Sequence, residues 1–406
     1  GWERQINGIS NNEKAVLLLE KRTFKELLVD MELRNLQNNI VGQEASRLFA
    51  RAEINMGVEA FRDSLYSLLK RNTFLNIKFE NMLDTLGEIS RTDIRSLLGE
   101  WEKTTPLPFY SLGEPTLTKI TNKGGEEFFV LKMLISNNSD YDGIIHMDIR
   151  KDGWWYQPLE DPRAKTKIEM PAHTSKEFVS VWEDQIRNVE INTMVSGNLP
   201  NIISQDINNV KQERNKIVKD SIYILPESSF DLPGEIIVDN EDSTLFILSA
   251  PPIVGLLPKW LDEVEETPFK YSGISWWRPP LQWTATTNDR YYGKYIRSAF
   301  VIKSGDGSQT ATWKVPVPEV GQYDLYYHVF KDDELRWNNN LQGEYHFKVK
   351  YGSEVEDAYV NLRKANEGWE QLGSYYFDSD TIRVVLTDEC KLRSVTADAV
   401  KIVKRY

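Results

Sequence analysis

The sequence predicts a multidomain α+β protein with an N-terminal helical region, a small immunoglobulin-like β-sandwich and a larger C-terminal β-sandwich. Three observations lead there. The chain has 406 residues, more than one ordinary core organises. Apolar residues recur at helical spacing to about residue 105 and at a spacing of two from about Pro115. Twelve Trp and eighteen Tyr make a high aromatic load, suited to pleated cores and to sugar-stacking surfaces.

Residues 1–108 form the expected helical domain. Phe24, Leu27, Leu28 and Met31 repeat at helical spacing, as do Val58, Phe61, Leu65, Leu68 and Leu69. Ser90 and Asp93 stand in capping-box positions before Ile94, Leu97, Leu98 and Trp101, and Pro106 and Pro108 end that helix. Residues 109–200 form the small sandwich, with strands in EFFVLKMLISNN and GIIHMDIRKDGWWY and turns at Asn/Asp/Gly clusters. Residues 201–234 are expected to be a connecting helix, with Ile207, Val210, Arg214 and Ile217 on one face, and then a Pro/Ser linker. Residues 235–406 form the larger sandwich.

Within that last region, GDGSQTATWKVPVPEVGQYDLYYHV at 305–329 opens like a phosphate loop. A phosphate loop hands over to a helix, whose first N–H groups hold the anion. Here Ala311, Trp313 and Val315 alternate with Thr310, Thr312 and Lys314, so the glycines make a turn before a strand, with Trp313 a structural residue. Asp398 alternates with Thr396, Val400 and Ile402 on an otherwise buried face. It is read as a structural tie accepting hydrogen bonds from a turn or an Arg, and as the first place for chemistry if that fails.

The net charge of -12 argues against a nucleic-acid partner, because phosphate backbones require a concentrated Lys/Arg surface. No apolar run approaches the ~20 residues that cross a bilayer as a helix. A lone Cys390 excludes an intramolecular disulfide framework and thiolate zinc clusters. Gly1 in place of Met predicts a processed or trimmed portion of a larger protein.

Catalytic signatures are missing from the sequence. His146, His173, His328 and His346 include no pair at the close helical spacing of a zinc site, and no Gly-x-Ser-x-Gly elbow occurs. The acid-rich KDDELRW and LDEVEE read as solvated faces. No cofactor is expected; DNED at 239–242 could offer calcium several oxygens, and as a turn it needs no ion.

Packing least explains the aromatic residues in apparent loops. SGISWWRPPLQWTATTNDRYYG places Trp276, Trp277, Trp283, Arg290 and Tyr292 near prolines that discourage a central strand, and KDDELRWNNNLQGE adds Trp337 and Asn339. These are the candidate ligand-binding residues. Aromatic faces would stack on sugar rings while Arg and Asn pair with hydroxyls; the alternative is that the rings cover the end of the sandwich.

The C-terminal region resembles the golvesin C-terminal-like domain, also described as a xanthan-lyase carbohydrate-binding-like domain. The similarity rests on IIVDNED at 236–242, YYGKYIRSAF at 291–300, the 305–329 stretch, GWEQLGSYYFDSD at 368–380, IRVVLTDE at 382–389 and VTADAVKIV at 395–403. It implies an extracytoplasmic β-sandwich, in the periplasm or at the cell surface, attached to secreted proteins and often beside hydrolases or lyases. A long insertion at roughly 243–290 departs from that pattern. Residues 44–200 resemble the post-catalytic part of gluzincin zinc aminopeptidases, through DIRSLLGEWEKTTPLPFY and a sandwich ending VSGNLP, yet no His-Glu-x-x-His occurs. Any catalytic portion would then lie upstream. The expected function is a non-catalytic accessory region that recognises glycan or a cell-envelope component. The alternative is a scaffold that holds a protein partner or an upstream catalytic domain.

Overall fold

Helices occupy Asn11–Lys21, Phe24–Val29, Gln37–Met56, Val58–Arg71, Phe79–Ser90 and Ile94–Leu97. The computed structural model describes residues 8–405 apart from 74, 91–92, 98–102, 123, 152–156, 215–217, 228–229, 231–233, 250–268, 276 and 332–342, and all counts refer to those residues. The chain divides into two units, one formed by Asn11–Phe230 and the other by Gly1–Ser10 together with Asp231–Tyr406.

The 20-residue helix Gln37–Met56 serves two cores. Ile40 packs with Ala15, Leu19, Phe24 and Leu27, while Leu48 and Ala52 pack with Phe61, Leu68, Leu83 and Leu86. Gly57, at φ +85°, receives the end of that helix and starts the next. Met31, Val58 and Leu69 leave the expected apolar faces and are exposed. Met31 sits in a short 3₁₀ turn after the helix has stopped at Val29, which breaks the spacing. The capping box is at Thr23 and Glu26, where each side chain accepts from the other's backbone N–H at 3.2 and 3.0 Å. Ser90 instead closes the helix Phe79–Ser90, and Leu98 and Trp101 lie outside the described residues.

The small sandwich has two sheets. One orders its strands Val210–Arg214, Thr116–Thr121, Glu127–Asn137, Thr174–Trp182 and Ser221–Pro226, with Tyr110–Leu112 also on Glu127–Asn137. The other runs Gln157–Pro158, Gly143–Lys151, Ile186–Asn192 and Ile202–Asp206, with Lys165–Met170 also on Gly143–Lys151. Leu131, Met133, Ile145, Met147, Val189 and Ile191 fill the space between. The connecting helix expected at 201–234 is therefore wrong: three strands of this sandwich occupy 202–226. Ile207 is buried as expected, but in the sandwich core. Val210–Arg214 is an outer strand, largely exposed, so its charges never alternate strictly and its spacing imitates a helix.

In the other unit, one sheet orders Glu235–Val238, Val400–Lys404, Gly321–Val329 and Gly368–Phe377. A second orders Phe246–Ser249, Thr310–Pro316, Thr381–Thr387, Glu344–Tyr351 and Glu354–Asn361. A third, small sheet holds Thr284–Thr287, Ser298–Lys303 and Ser394–Ala397. One core spans all three and includes Trp313, Tyr323, Tyr327, Phe347, Phe377 and Val395. The Gly305–Ser308 stretch is a turn that leads straight into the strand Thr310–Pro316. Gly305 N–H donates to the Asp388 carbonyl at 2.8 Å, and a Cβ at Gly305 would fall 2.1 Å from the Asp388 carboxylate.

Candidate functional site

Between Ser394–Ala397 in the small sheet and Val400–Lys404 in the four-stranded sheet, Asp398 and Ala399 carry the chain from one sheet to the other. Leaving one ladder before joining the next frees backbone groups in a buried place, and each must find a partner. Tyr327 Oη donates to the Thr396 carbonyl at 2.5 Å, Trp313 Nε1 to the Asp398 carbonyl at 3.2 Å, and His328 N–H to the Ala399 carbonyl at 2.9 Å. The fully buried Asp398 carboxylate accepts the Tyr292 N–H at 3.1 and 3.2 Å, and His328 Nδ1 lies 2.8 Å from its Oδ2. Burial pushes this carboxyl's pKa up, and His328 leads the groups that oppose the shift. The tie comes from a turn and a histidine.

His328 also belongs to the outer face of the four-stranded sheet. Along Gly321–Val329, Tyr323, Leu325, Tyr327 and Val329 point into the core, so Tyr326 and His328 point out. Register sets His328 opposite Trp369 and Tyr326 opposite Lys401. The His328 and Trp369 rings meet edge-on at 5.2 Å, and Tyr292 packs on both, at 5.0 Å from Trp369 and 5.8 Å from His328. Lys401 Nζ lies 4.8 Å from the Trp369 ring and 5.3 Å from Tyr326, and pairs with Glu235 at 2.9 Å. All six side chains are partly open to solvent. Aromatic surface framed by one cation, one anion and an imidazole suits a ligand with both apolar faces and hydroxyls.

The structure does not gather the candidate residues into one surface. Tyr292 joins the face just described. Trp277 is 69% exposed and has Arg393 5.5 Å above its ring. Trp283 packs against the core, and its buried Nε1 has no hydrogen-bond partner among the described residues. Arg290 lies 4.5 Å from the Phe330 ring and 3.3 Å from Glu367, too poorly aligned there for a hydrogen bond. Trp276, Trp337 and Asn339 lie outside the described residues. Sequence reasoning passed over Trp369, Tyr326 and Lys401. The signal for Tyr326 and His328 was the alternation that buries their neighbours; Trp369 and Lys401 joined them only through strand pairing.

The other titratable candidates have local partners. His346 stacks on Tyr359 at 4.9 Å and lies 2.7 Å from Asp357 and 3.2 Å from Glu389. His173, in a left-handed turn, lies between Glu227 and Asp140, which raise its pKa in that order. Burial lowers the pKa of His146 and raises that of the Cys390 thiol, which works against a thiolate. In DNED, Glu241 meets Lys270 at 2.6 Å, Tyr271 Oη at 3.1 Å and the Ser298 hydroxyl. Asp239 is half-buried; burial, then the nearby Asp398 carboxylate, holds its pKa well above the usual range. No three His, Cys, Asp or Glu side chains among the described residues converge as a metal site requires.

Sheets packed over an aromatic core define the closing unit as a β-sandwich. Residues 279–404 match the family described as the Golvesin C-terminal domain, so this part of the chain carries that domain. No curated protein matches the chain. Among solved structures it is similar to Bacteroides uniformis β-glucuronidase, with 12% identity over 78% of this chain and 32% of that one and a TM-score of 0.22. It is also similar to a calcium-binding mutant of Bacteroides uniformis β-glucuronidase 2, with 11% identity over 77% and 32% and a TM-score of 0.20. A third similarity is to the Sulfolobus turreted icosahedral virus structure, with 9% identity over 75% and 96% and a TM-score of 0.15. The chain spans about a third of the length of the glucuronidases. At such scores the likeness says nothing about this chain's chemistry.

Proposed function

We propose that the closing unit is a non-catalytic, extracytoplasmic recognition module. It binds glycan or another cell-envelope component on the outer face of its four-stranded sheet and serves a larger, hydrolase-like protein. The observation that supports this reading is the partly open set of Tyr292, His328 and Trp369 with Lys401 and Glu235 at its margin. Asp398, beneath, fixes the Tyr292 backbone and the His328 ring. The Golvesin domain match supports both the setting and the accessory role. The proposed recognition uses no cofactor.

Pull-down on insoluble polysaccharides and a glycan array test the proposal. Trp369→Ala and Tyr292→Ala should each weaken binding by roughly tenfold, the loss of one stacked ring, with circular dichroism unchanged. No ligand across a broad panel, or full binding by Trp369→Ala, would defeat it.

A second reading, a scaffold for a protein partner or an upstream catalytic domain, draws support from the other unit. Ile222, Tyr223, Ile224 and Leu225 are all exposed on the outer strand Ser221–Pro226. Natural sheets rarely leave such an edge bare. Co-purification with the parent protein, weakened by Ile224→Lys, would favour this reading over the first.

A further inference from the structure

The helix Gln37–Met56 carries Arg47 and Arg51 four residues apart, hence on one face. Both line a cavity of about 170 Å³ in the Asn11–Phe230 unit, walled on its other sides by Pro106, Pro108, Asp142 and Ile144. The two arginines are not equivalent. Arg47 pairs with the buried Glu44 at 2.7 Å, and Glu44 also accepts the Thr105 hydroxyl at 3.1 Å. Arg51 is half-buried, and its side chain makes no ion pair or hydrogen bond among the described residues.

Behind the cavity wall lies a buried tyrosine that braces it. Tyr110 is fully buried, is not among the residues that line the cavity, and has the Ile144 backbone acting on its hydroxyl. Its backbone is pinned, since its N–H donates to Asn198 Oδ1 at 2.9 Å and its carbonyl accepts Asn198 Nδ2 at 2.8 Å. The hydroxyl comes up against Gly143, a lining residue, where a Cβ would fall 1.7 Å from Oη. Arg51 and Asp142 both act electrostatically on this phenol, in opposite directions, beneath the larger upward push of burial. Met194, also in the lining, is held at φ 53°, a left-handed conformation costly for a non-glycine residue and frequent at ligand clamps.

We infer that this cavity binds a small carboxylate, with Arg51 as the anion-binding group. Arg47 is paired with Glu44, which leaves Arg51 as the free cation of the lining among the described residues, and the Asp142 carboxylate in the same lining disfavours a second negative charge, so the site suits a monoanion better than a dianion such as phosphate. A guanidinium matches a carboxylate's two oxygens. The volume admits roughly six water-sized groups, so a short hydroxy acid fits between the proline walls. Asp142 Oδ1 already accepts the Ala172 N–H at 2.9 Å, which leaves its other oxygen to accept the ligand's hydroxyl. The site lies in the unit that the proposed glycan face does not use, so each proposal stands or falls alone.

Titration calorimetry of the full 406-residue chain with sodium lactate, against sodium phosphate and sodium chloride at equal ionic strength, tests the inference. Lactate should saturate one site. Arg51→Gln should weaken it at least tenfold, and the control Arg62→Gln, on an exposed side chain, not at all. Arg51→Lys, which keeps the charge and loses the fork, should still weaken binding and covers the case in which Arg51→Gln does not fold. Absent saturation by lactate, or wild-type affinity in either folded Arg51 variant, overturns the site. Saturation by phosphate with lactate silent overturns the carboxylate assignment.

Discussion

Asp398 holds the Tyr292 N–H and the His328 ring from a position with no solvent access. Removing the carboxylate strands both partners, and breaking a buried pair from one side costs about 3–5 kcal/mol. Asp398→Ala should lose stability on that scale in urea denaturation; a loss under about 1 kcal/mol would show that the tie is not structural. Asp239 predicts a pH dependence. A carboxyl whose pKa is raised on folding binds its proton more tightly in the native chain. Its stability contribution is therefore complete below the ordinary value of 3.8 and is lost as pH climbs toward the raised one. Asp239→Asn should thus be more stable than the parent at pH 7, by about 1–3 kcal/mol, with the difference shrinking toward pH 4. Urea midpoints at several pH values check this, and a gap that widens in acid contradicts it.

Among the elements, the helix Phe24–Val29 is short and depends on its reciprocal cap at Thr23 and Glu26. Thr23→Ala should cost about 1 kcal/mol, read from the denaturation midpoint of the unit that holds this helix. The same signature misleads at Ser90, where Ser-x-x-Asp precedes an apolar run but Ser90 is still inside the preceding helix. Strands with one buried face were legible, because Gly321–Val329 alternates nearly without fault. Outer strands were not. Val210–Arg214 has four of its five residues exposed, so no core requirement imposes a period on it. Its partner Thr116–Thr121, about ninety residues earlier, specifies it instead, through a parallel pairing that local spacing cannot reveal.

At the scale of the molecule, two units with separate cores predict separable transitions. Trp313 is fully buried at the centre of the closing unit, against Phe246 at 5.4 Å and Tyr327 at 6.2 Å. Trp313→Ala should cost that unit about 3–5 kcal/mol and lower one calorimetric transition, leaving the transition of Asn11–Phe230 in place. A single transition shifted as a whole would contradict separate units.

By itself the sequence determined the helical opening, the two β-sandwiches, the turn at Gly305–Ser308 and the burial of Asp398. Each follows from local spacing, from turn chemistry or from a motif within one stretch of chain. Tertiary structure alone decided which strands complete the small sandwich, which aromatic rings meet Tyr292, and that Arg51 and Asp142 border one cavity. Those outcomes depend on residues tens of positions apart being brought to contact by sheet register and helix packing, and contact distance is not written in the spacing of any one segment.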